Sequence, residues 1–385
     1  VARNTNIFIS LLTVFLNYSA VLSWFFLLPL YLRHLGAKEE DIGLSYLVIN
    51  GAFCVTQVLG GFMGDRVGRK KLFALPTFLF PAVYLVTAFA GSWPVVVAAL
   101  GVCMALQGLQ MPAMYSLVAE SVDEKDRGLA FGLFNASAAA SFVLGPGLGC
   151  LAGGSISGIR TMLIITACVA LPCAVLRQVY LKDNFDHGAM NLKIREVFAS
   201  FDRNVVMGLI AFIFYGFLIN TTIYGPFITL FARDALKMNE QAIQLMFLLG
   251  GAASMFFNLL GGLVTRRFGA RTAMMAGGLV HAFLFIPWIF AGSLPMAYGI
   301  FVVSYVFLQA SFVAHDTILT GIAPIRTRSS TIGIINSTAG TLGAFAPWTG
   351  AALSVAFGPG APFWGAVVFA LLTSVYLAFV KAEKN

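Results

Sequence analysis

Gly61-Phe-Met-Gly-Asp-Arg-Val-Gly-Arg-Lys-Lys71 gathers one acid and four cations between two long apolar runs, in a chain that is only 10% charged. A charge left in hydrocarbon costs roughly 2.5–3.5 kcal/mol on insertion scales. The stretch therefore reads as a short, water-facing turn joining two membrane helices. Lys and Arg in short loops are retained on the cytoplasmic face, so this turn also assigns a side, and the orientation of the whole chain is expected to follow from it.

The bulk numbers agree with that reading. The 385 residues are 59% apolar with a mean hydropathy of +0.87, and a soluble chain would carry more than twice the charge. The fold class implied is an all-α membrane protein, since the runs are too long for barrel strands. A net charge of +8 does not read as nucleic-acid binding, because the excess sits in short loops between apolar runs. Cys54, Cys103, Cys150, Cys168 and Cys173 lie inside apolar runs without metal-site spacing. They are expected to be small core residues, with no metal and no cofactor. No cleavable signal peptide is visible, and the first apolar run is expected to serve as its own targeting signal.

Working outward from the turn, apolar runs fall at about 6–32, 42–64, 72–91, 93–119, 128–152 and 159–180. They resume at about 204–231, 242–264, 272–291, 295–322, 330–356 and 361–380. These are twelve expected transmembrane helices, each long enough for a hydrocarbon core of about 30 Å. Gly91-Ser-Trp-Pro94 and Gly292-Ser-Leu-Pro295 split adjacent runs at corresponding places. With the 65–71 turn inside, both termini are cytoplasmic and nineteen of the twenty-four Lys and Arg lie on that side; only Arg33, Lys38, Arg160, Arg233 and Lys237 are outside.

The polar stretch 182–203 separates an expected N-terminal six-helix bundle, 1–181, from a C-terminal one, 204–385. It is expected to be a cytoplasmic linker with a short amphipathic helix on the membrane surface. The halves repeat. A shift of 201 carries Gly60 to Gly261, Gly61 to Gly262, Arg66 to Arg267, Gly68 to Gly269, Asn135 to Asn336, Pro146 to Pro347 and Gly149 to Gly350. A repeat on this scale implies two pseudo-symmetric bundles with a solute path between them.

Twelve spans in two repeats, a central linker and Gly61-x-x-x-Asp65-Arg66-x-Gly68-Arg69-Lys70 resemble the major facilitator superfamily of transporters. Gly132, Gly145-Pro146 and Gly149 are similar to the fifth-helix motif of its drug:proton antiporters, with Ser141 and Cys150 replacing two glycines of that motif. The resemblance departs at Met104, where the fourth-helix motif places an arginine, and at Arg266, where Asp65 would map. It implies a cytoplasmic-membrane secondary transporter working by alternating access, in a lipid bilayer and as a monomer, with protons as coupling ion. The expected substrate is a small amphiphilic, neutral or cationic solute moved outward. An importer or uniporter of a neutral metabolite is the alternative. A receptor or assembly factor on the same fold is a third class. An enzyme is not expected, as no triad, His-Glu metal motif or phosphate loop has credible spacing.

Within that frame Asp65, Arg66, Arg69 and Glu120 are candidates for a conformational latch, Arg69 pairing with Glu120; topology and surface ion pairs alone are the other reading. Gly132, Gly145, Pro146 and Gly149 form either a packing seam or, as the resemblance implies, a hinge or seal against ion leak. Asp316 is the acid set well inside an apolar run. Its expected burial would favour protonation, leaving proton binding, cationic substrate binding or a structural pair with His315 open. His281 is expected to be a packing histidine. The family's cavity-lining first, fourth, seventh and tenth helices point to Asn17, Tyr18, Trp24, Gln107, Gln110, Tyr215, Asn220 and Gln309 as a mildly polar, aromatic-rich substrate cavity. No Lys or Arg is expected well inside any span, which argues against a fixed cationic anchor.

Overall fold

The computed structural model describes residues 4–123, 126–152, 156–182, 198–199, 201–324 and 328–380. Among them every regular element is helical, as hydrocarbon requires of a chain that must satisfy its own backbone. In the first repeat these are α1 Thr5–Phe25, α2 Leu28–His34, α3 Glu39–Val67, α4 Arg69–Ala74, a 3-10 turn Leu75–Leu79, α5 Phe80–Ala88, α6 Trp93–Glu120, α7 Arg127–Leu151 and α8 Ile156–Tyr180. The second holds α9 Arg203–Thr222, α10 Phe227–Asp234, α11 Glu240–Phe268, α12 Ala270–Ile289, α13 Leu294–Ile322, α14 Arg328–Gly343, α15 Ala346–Phe357 and α16 Ala361–Ala378.

Ten described helical stretches are long and apolar enough to cross a membrane, α4 to α5 (Arg69–Ala88) counted as one, and α11, bent by 51° between Glu240–Phe257 and Gly261–Phe268, makes an eleventh. The run expected at 330–356 is met by α14 and α15, of 16 and 12 residues, each too short alone. Counted as one broken span they complete the expected twelve. The starts of these helices are written in the sequence. Asn4 caps α1 by accepting from the amides of Asn6 and Ile7 at 2.9 and 3.4 Å. Asp202 caps α9 through Val205 N at 2.8 Å, and Ser92-Trp-Pro and Ser293-Leu-Pro open α6 and α13 with proline in the first turn.

Two compact units emerge, each drawing on both repeats. One comprises the described residues of Val1–Lys38, Val48–Ala189 and Asn239–Gly251; the other, those of Glu39–Leu47, Met190–Met238 and Ala252–Asn385. In the first, α1 packs chiefly on α7 and α8, α5 on α8, and α4 and α5 on α6. In the second, α9 packs on α14 and α16, α12 on α16, and α12 on α13. Moved on by six spans, these are the same pairings. The first unit centres on Ile7, Val14, Phe73, Met114, Leu117 and Phe134. The second centres on an aromatic cluster, with Phe285 stacked on Phe363 at 5.1 Å and both rings against Trp288.

The repeat is also visible in the backbone. Gly68, which starts α4, has φ 100° and ψ 147°, and Gly269, which starts α12, has φ 83° and ψ 146°. Side chains rarely adopt this region, and forcing one there costs about 1–3 kcal/mol. A Cβ at Gly269 would meet nothing within 4 Å, so the penalty there is conformational alone. Gly269→Ala is expected to lower thermal stability by that amount in detergent. Gly262→Ala, in open space inside α11, is expected to leave the melting temperature unchanged or raise it. Equal melting of the two variants would remove the backbone argument.

Candidate functional site

The turn between α3 and α4 holds the first cluster. Arg69 is 9% exposed, and its Nε donates to Glu120 Oε1, at the end of α6, over 3.3 Å. The sequence expects this partnership, and the two helices deliver it because α4 packs directly on α6. Arg66 is exposed; the Asp65 side chain lies outside the described residues.

The second cluster lies in the interior of the first unit. Asn17 and Tyr18 of α1 and Gln107 and Gln110 of α6 converge on a small void of about 20 Å³, closed by Val14, Phe73, Phe80, Met111, Met114 and Arg177. Four of the expected cavity residues are thus brought together. Trp24 is not among them: it is fully enclosed, and its Nε1 donates to Thr166 Oγ1 at 3.1 Å, tying α1 to α8.

Arg177, in the last turn of α8, is a cation that the sequence reading did not single out. It is 4% exposed. Its Nε donates to Thr13 Oγ1 at 2.9 Å, its Nη1 to Thr77 Oγ1 at 2.8 Å, and its guanidinium lies 4.0 Å from the centre of the Phe73 ring. Charge-assisted hydrogen bonds of about 1.5–3 kcal/mol each and a cation–π contact of about 0.5–2 kcal/mol offset a burial penalty of several kcal/mol. The signal was helical phase. Leu163, Thr166, Ala170, Cys173, Ala174 and Leu181 are the buried stripe of α8 and the residue beyond it, and Arg177 falls in step with them. With this cation in place, the argument for exclusively neutral or cationic substrates loses its basis. The cysteines also divide: Cys103 and Cys173 are buried, Cys54 and Cys150 half-buried and Cys168 exposed, because the last faces away from the α8 stripe.

In the second unit His315 stacks on Tyr215 at 5.5 Å and meets Phe212 edge-on at 4.4 Å. Its Nδ1 is 2.9 Å from Asp316 Oδ1. The expected burial of Asp316 is not found; its side chain is 78% exposed against 16% for His315. Successive residues are 100° apart on a helix, so turning His315 toward α9 carries Asp316 out. Asn220 donates to Gly216 O on its own helix at 2.9 Å. Gln309, two turns before Asp316, is half-buried. His281 is enclosed, with Thr222 Oγ1 at 3.0 Å and Ser304 Oγ at 2.8 Å on its ring nitrogens.

A seam runs along α7. Ser137 and Ser141 donate to Leu11 O and Phe15 O at 3.0 and 3.2 Å. One and two turns further on, a Cβ at Gly145 or Gly149 would collide with Ser19 O or Ser23 O. Small residues every four positions on α7 thus face backbone carbonyls every four positions on α1, the condition for close helix approach. Gly149 also lies against Gln244, whose Nε2 donates to Ser23 O at 2.8 Å within the same unit. Gly132 stands in open space, and α7 runs unbroken through Pro146.

The model of one family, described as Major Facilitator Superfamily, matches residues 7–224 and again 209–385. The chain belongs to the Major Facilitator Superfamily. Among curated superfamily members, the quinolone resistance protein NorA of Staphylococcus aureus is 27% identical over 150 residues, 38% of each chain. The multidrug resistance protein MdtG of Proteus mirabilis is 24% identical over 215 residues, 54% of this chain and 53% of the relative. The aligned region thus spans between about two fifths and half of these relatives' length. Among solved structures, the nucleoside transporter NupG superposes with a TM-score of 0.83 at 14% identity, covering 98% of this chain and 100% of the other. The human organic anion transporter MFSD10 gives 0.73 at 17% identity, covering 97% and 99%. The superfamily match and the apolar helices together mark a multi-pass membrane protein of this superfamily.

The seam yields a paired test within this superfamily fold. Gly145→Ala, which drives a methyl group into Ser19 O and Leu22, is expected to destabilise the protein by about 1–3 kcal/mol. Gly132→Ala is expected to be tolerated. Unfolding in mixed micelles measures both; equal stabilities would contradict a steric role for Gly145.

Proposed function

We propose that the protein is a secondary active transporter of the cytoplasmic membrane that exports a small amphiphilic solute by alternating access, with protons as the coupling ion. The observation that carries this reading is the convergence of Asn17, Tyr18, Gln107, Gln110 and Arg177 on one interior point of a superfamily chain. A polar, partly aromatic interior is what a solute needs in passing a hydrocarbon layer. The direction and the drug-like substrate class are supported by the names of the relatives, which are resistance proteins. The charge asymmetry of the loops supports a cytoplasmic side for both termini, with residues 1–181 and 204–385 as the two bundles and the protein acting as a monomer.

Proton coupling is assigned to His315 and Asp316, an ionisable pair on a span. The latch is assigned to the turn that holds Asp65, Arg66 and Arg69, with Arg69 anchored by Glu120. A uniporter of a neutral metabolite is the second reading, favoured by Met104 where an arginine is expected. The third-class alternative, a receptor, moves no solute.

Proteoliposome flux with and without a pH gradient tests the first point. Asp316→Asn is expected to reduce gradient-driven transport at least about tenfold while counterflow persists. Full gradient-driven transport in that variant would remove Asp316 from coupling, and gradient-independent flux in the native chain would favour the uniporter. For the latch, Asp65→Asn and Glu120→Gln are expected to shift thiol labelling of cysteines introduced at the two ends of the spans in opposite directions. An unchanged labelling pattern would return the turn to a purely topological role.

A further inference from the structure

Arg177 is a buried cation. Among the described residues no carboxylate pairs with it; its partners are the hydroxyls of Thr13 and Thr77 and the face of Phe73. Both hydroxyls are committed as acceptors. Thr13 gives its own proton to Ile9 O at 2.8 Å and Thr77 to Phe73 O at 3.2 Å. Thr77 Oγ1 also receives Gln110 Nε2 at 3.0 Å. These neutral oxygens orient the guanidinium but leave its charge uncompensated. Two of its five N–H groups are used by these contacts, and the other three have no acceptor among the described residues.

The guanidinium borders the 20 Å³ void. That volume takes about one water or one carboxylate oxygen. Around it stand Tyr18, Phe73 and Phe80, which suit an aromatic body, and Met111 and Met114, unbranched chains that can yield space. Asn17, 7% exposed and also lining the void, donates through Nδ2 to Thr13 O at 2.9 Å, and its Oδ1 has no partner. A planar guanidinium with spare donors is matched best by a planar, two-oxygen anion.

We infer that Arg177 is an anion subsite of the transport cavity and that it receives the carboxylate of an amphiphilic aromatic acid. The Asn17 carbonyl accepts a hydroxyl or N–H of the same ligand. This assignment rests on the reading of the void as part of the transport cavity, and it narrows the substrate class to molecules that carry a negative charge beside a ring.

The probes are 1-naphthoate and 1-naphthamide, which share a shape and differ in charge. Equilibrium dialysis against the full chain in lipid nanodiscs, with empty nanodiscs as reference, measures their binding. Naphthoate is expected to bind at least about tenfold more tightly than naphthamide and to raise the melting temperature more than chloride at equal ionic strength. The preference is expected to fall below about twofold in Arg177→Met and Arg177→Gln, the latter keeping polar reach toward Thr13 and Thr77, and to persist in Arg177→Lys. Equal binding of the two probes by the native chain overturns the inference whether or not a variant folds. So does a preference that survives loss of the cation, or a melting shift produced by chloride and not by naphthoate. Binding and melting are read without flux, so a chain that binds naphthoate through Arg177 yet moves no solute would refute the transport reading and leave the subsite standing.

Discussion

Hydrocarbon offers a polar group no partner, and each arrangement described above answers that constraint. Backbone amides are satisfied inside helices. Hydroxyls of Thr13, Thr56, Thr77, Thr87 and Thr166 turn back to the carbonyl four residues earlier. At Thr13 and Thr77 that local bond takes up the threonine proton and leaves the oxygen's lone pairs to accept. Where two such threonines face each other across α1 and the start of the third span, they make a place where a guanidinium can be held. The polar interior of the first unit is therefore a by-product of how single helices satisfy themselves, used a second time.

The same constraint explains the glycines. Without water to expel from between them, helices in lipid gain little by apolar burial and associate through close contact. Gly145 and Gly149 bring α7 onto the carbonyls of α1, Gly60 and Gly108 bring α3 and α6 together at Leu109 and Phe53, and Gly216 meets Ala339 and Gly343 in the second unit. Rigid seams beside a polar void give a frame in which a small number of side chains can move while the helices they belong to keep their partners.

Much of this could be read from the chain. The basic turn, the repeat offset and the Gly-Ser-x-Pro breaks located the spans, and Arg69 and Glu120 found each other because charge at two adjacent helix ends leaves few alternatives. Sequence failed where phase within a helix decides. Arg177, in the last turn of α8, is buried because it lies in register with Cys173 and Ala174, and residue type alone did not announce that. Asp316 was expected inside because its run is apolar, yet its neighbour His315 holds the inward position. Trp24 was placed in the cavity for its chemistry and proved to be a tie to Thr166. Gly132 matched a motif spacing, yet a Cβ there would meet open space. Residue type announces what a side chain can do; only the angle around the helix axis says to whom.

One architectural feature reaches beyond these sites. Glu39–Leu47 belongs to the unit built mainly from the second repeat, where Glu39 Oε2 accepts from Ser354 at 2.9 Å and Gly43 lies under Pro347 O. Asn239–Gly251 makes the reverse crossing, with Phe247 stacked on Phe26 at 3.9 Å. A chain severed in the stretch 182–203 would thus yield two fragments that each carry a piece of the other's interior. Neither half is a self-sufficient module, and reassembly of such a split protein would have to begin with the reciprocal return of those borrowed turns.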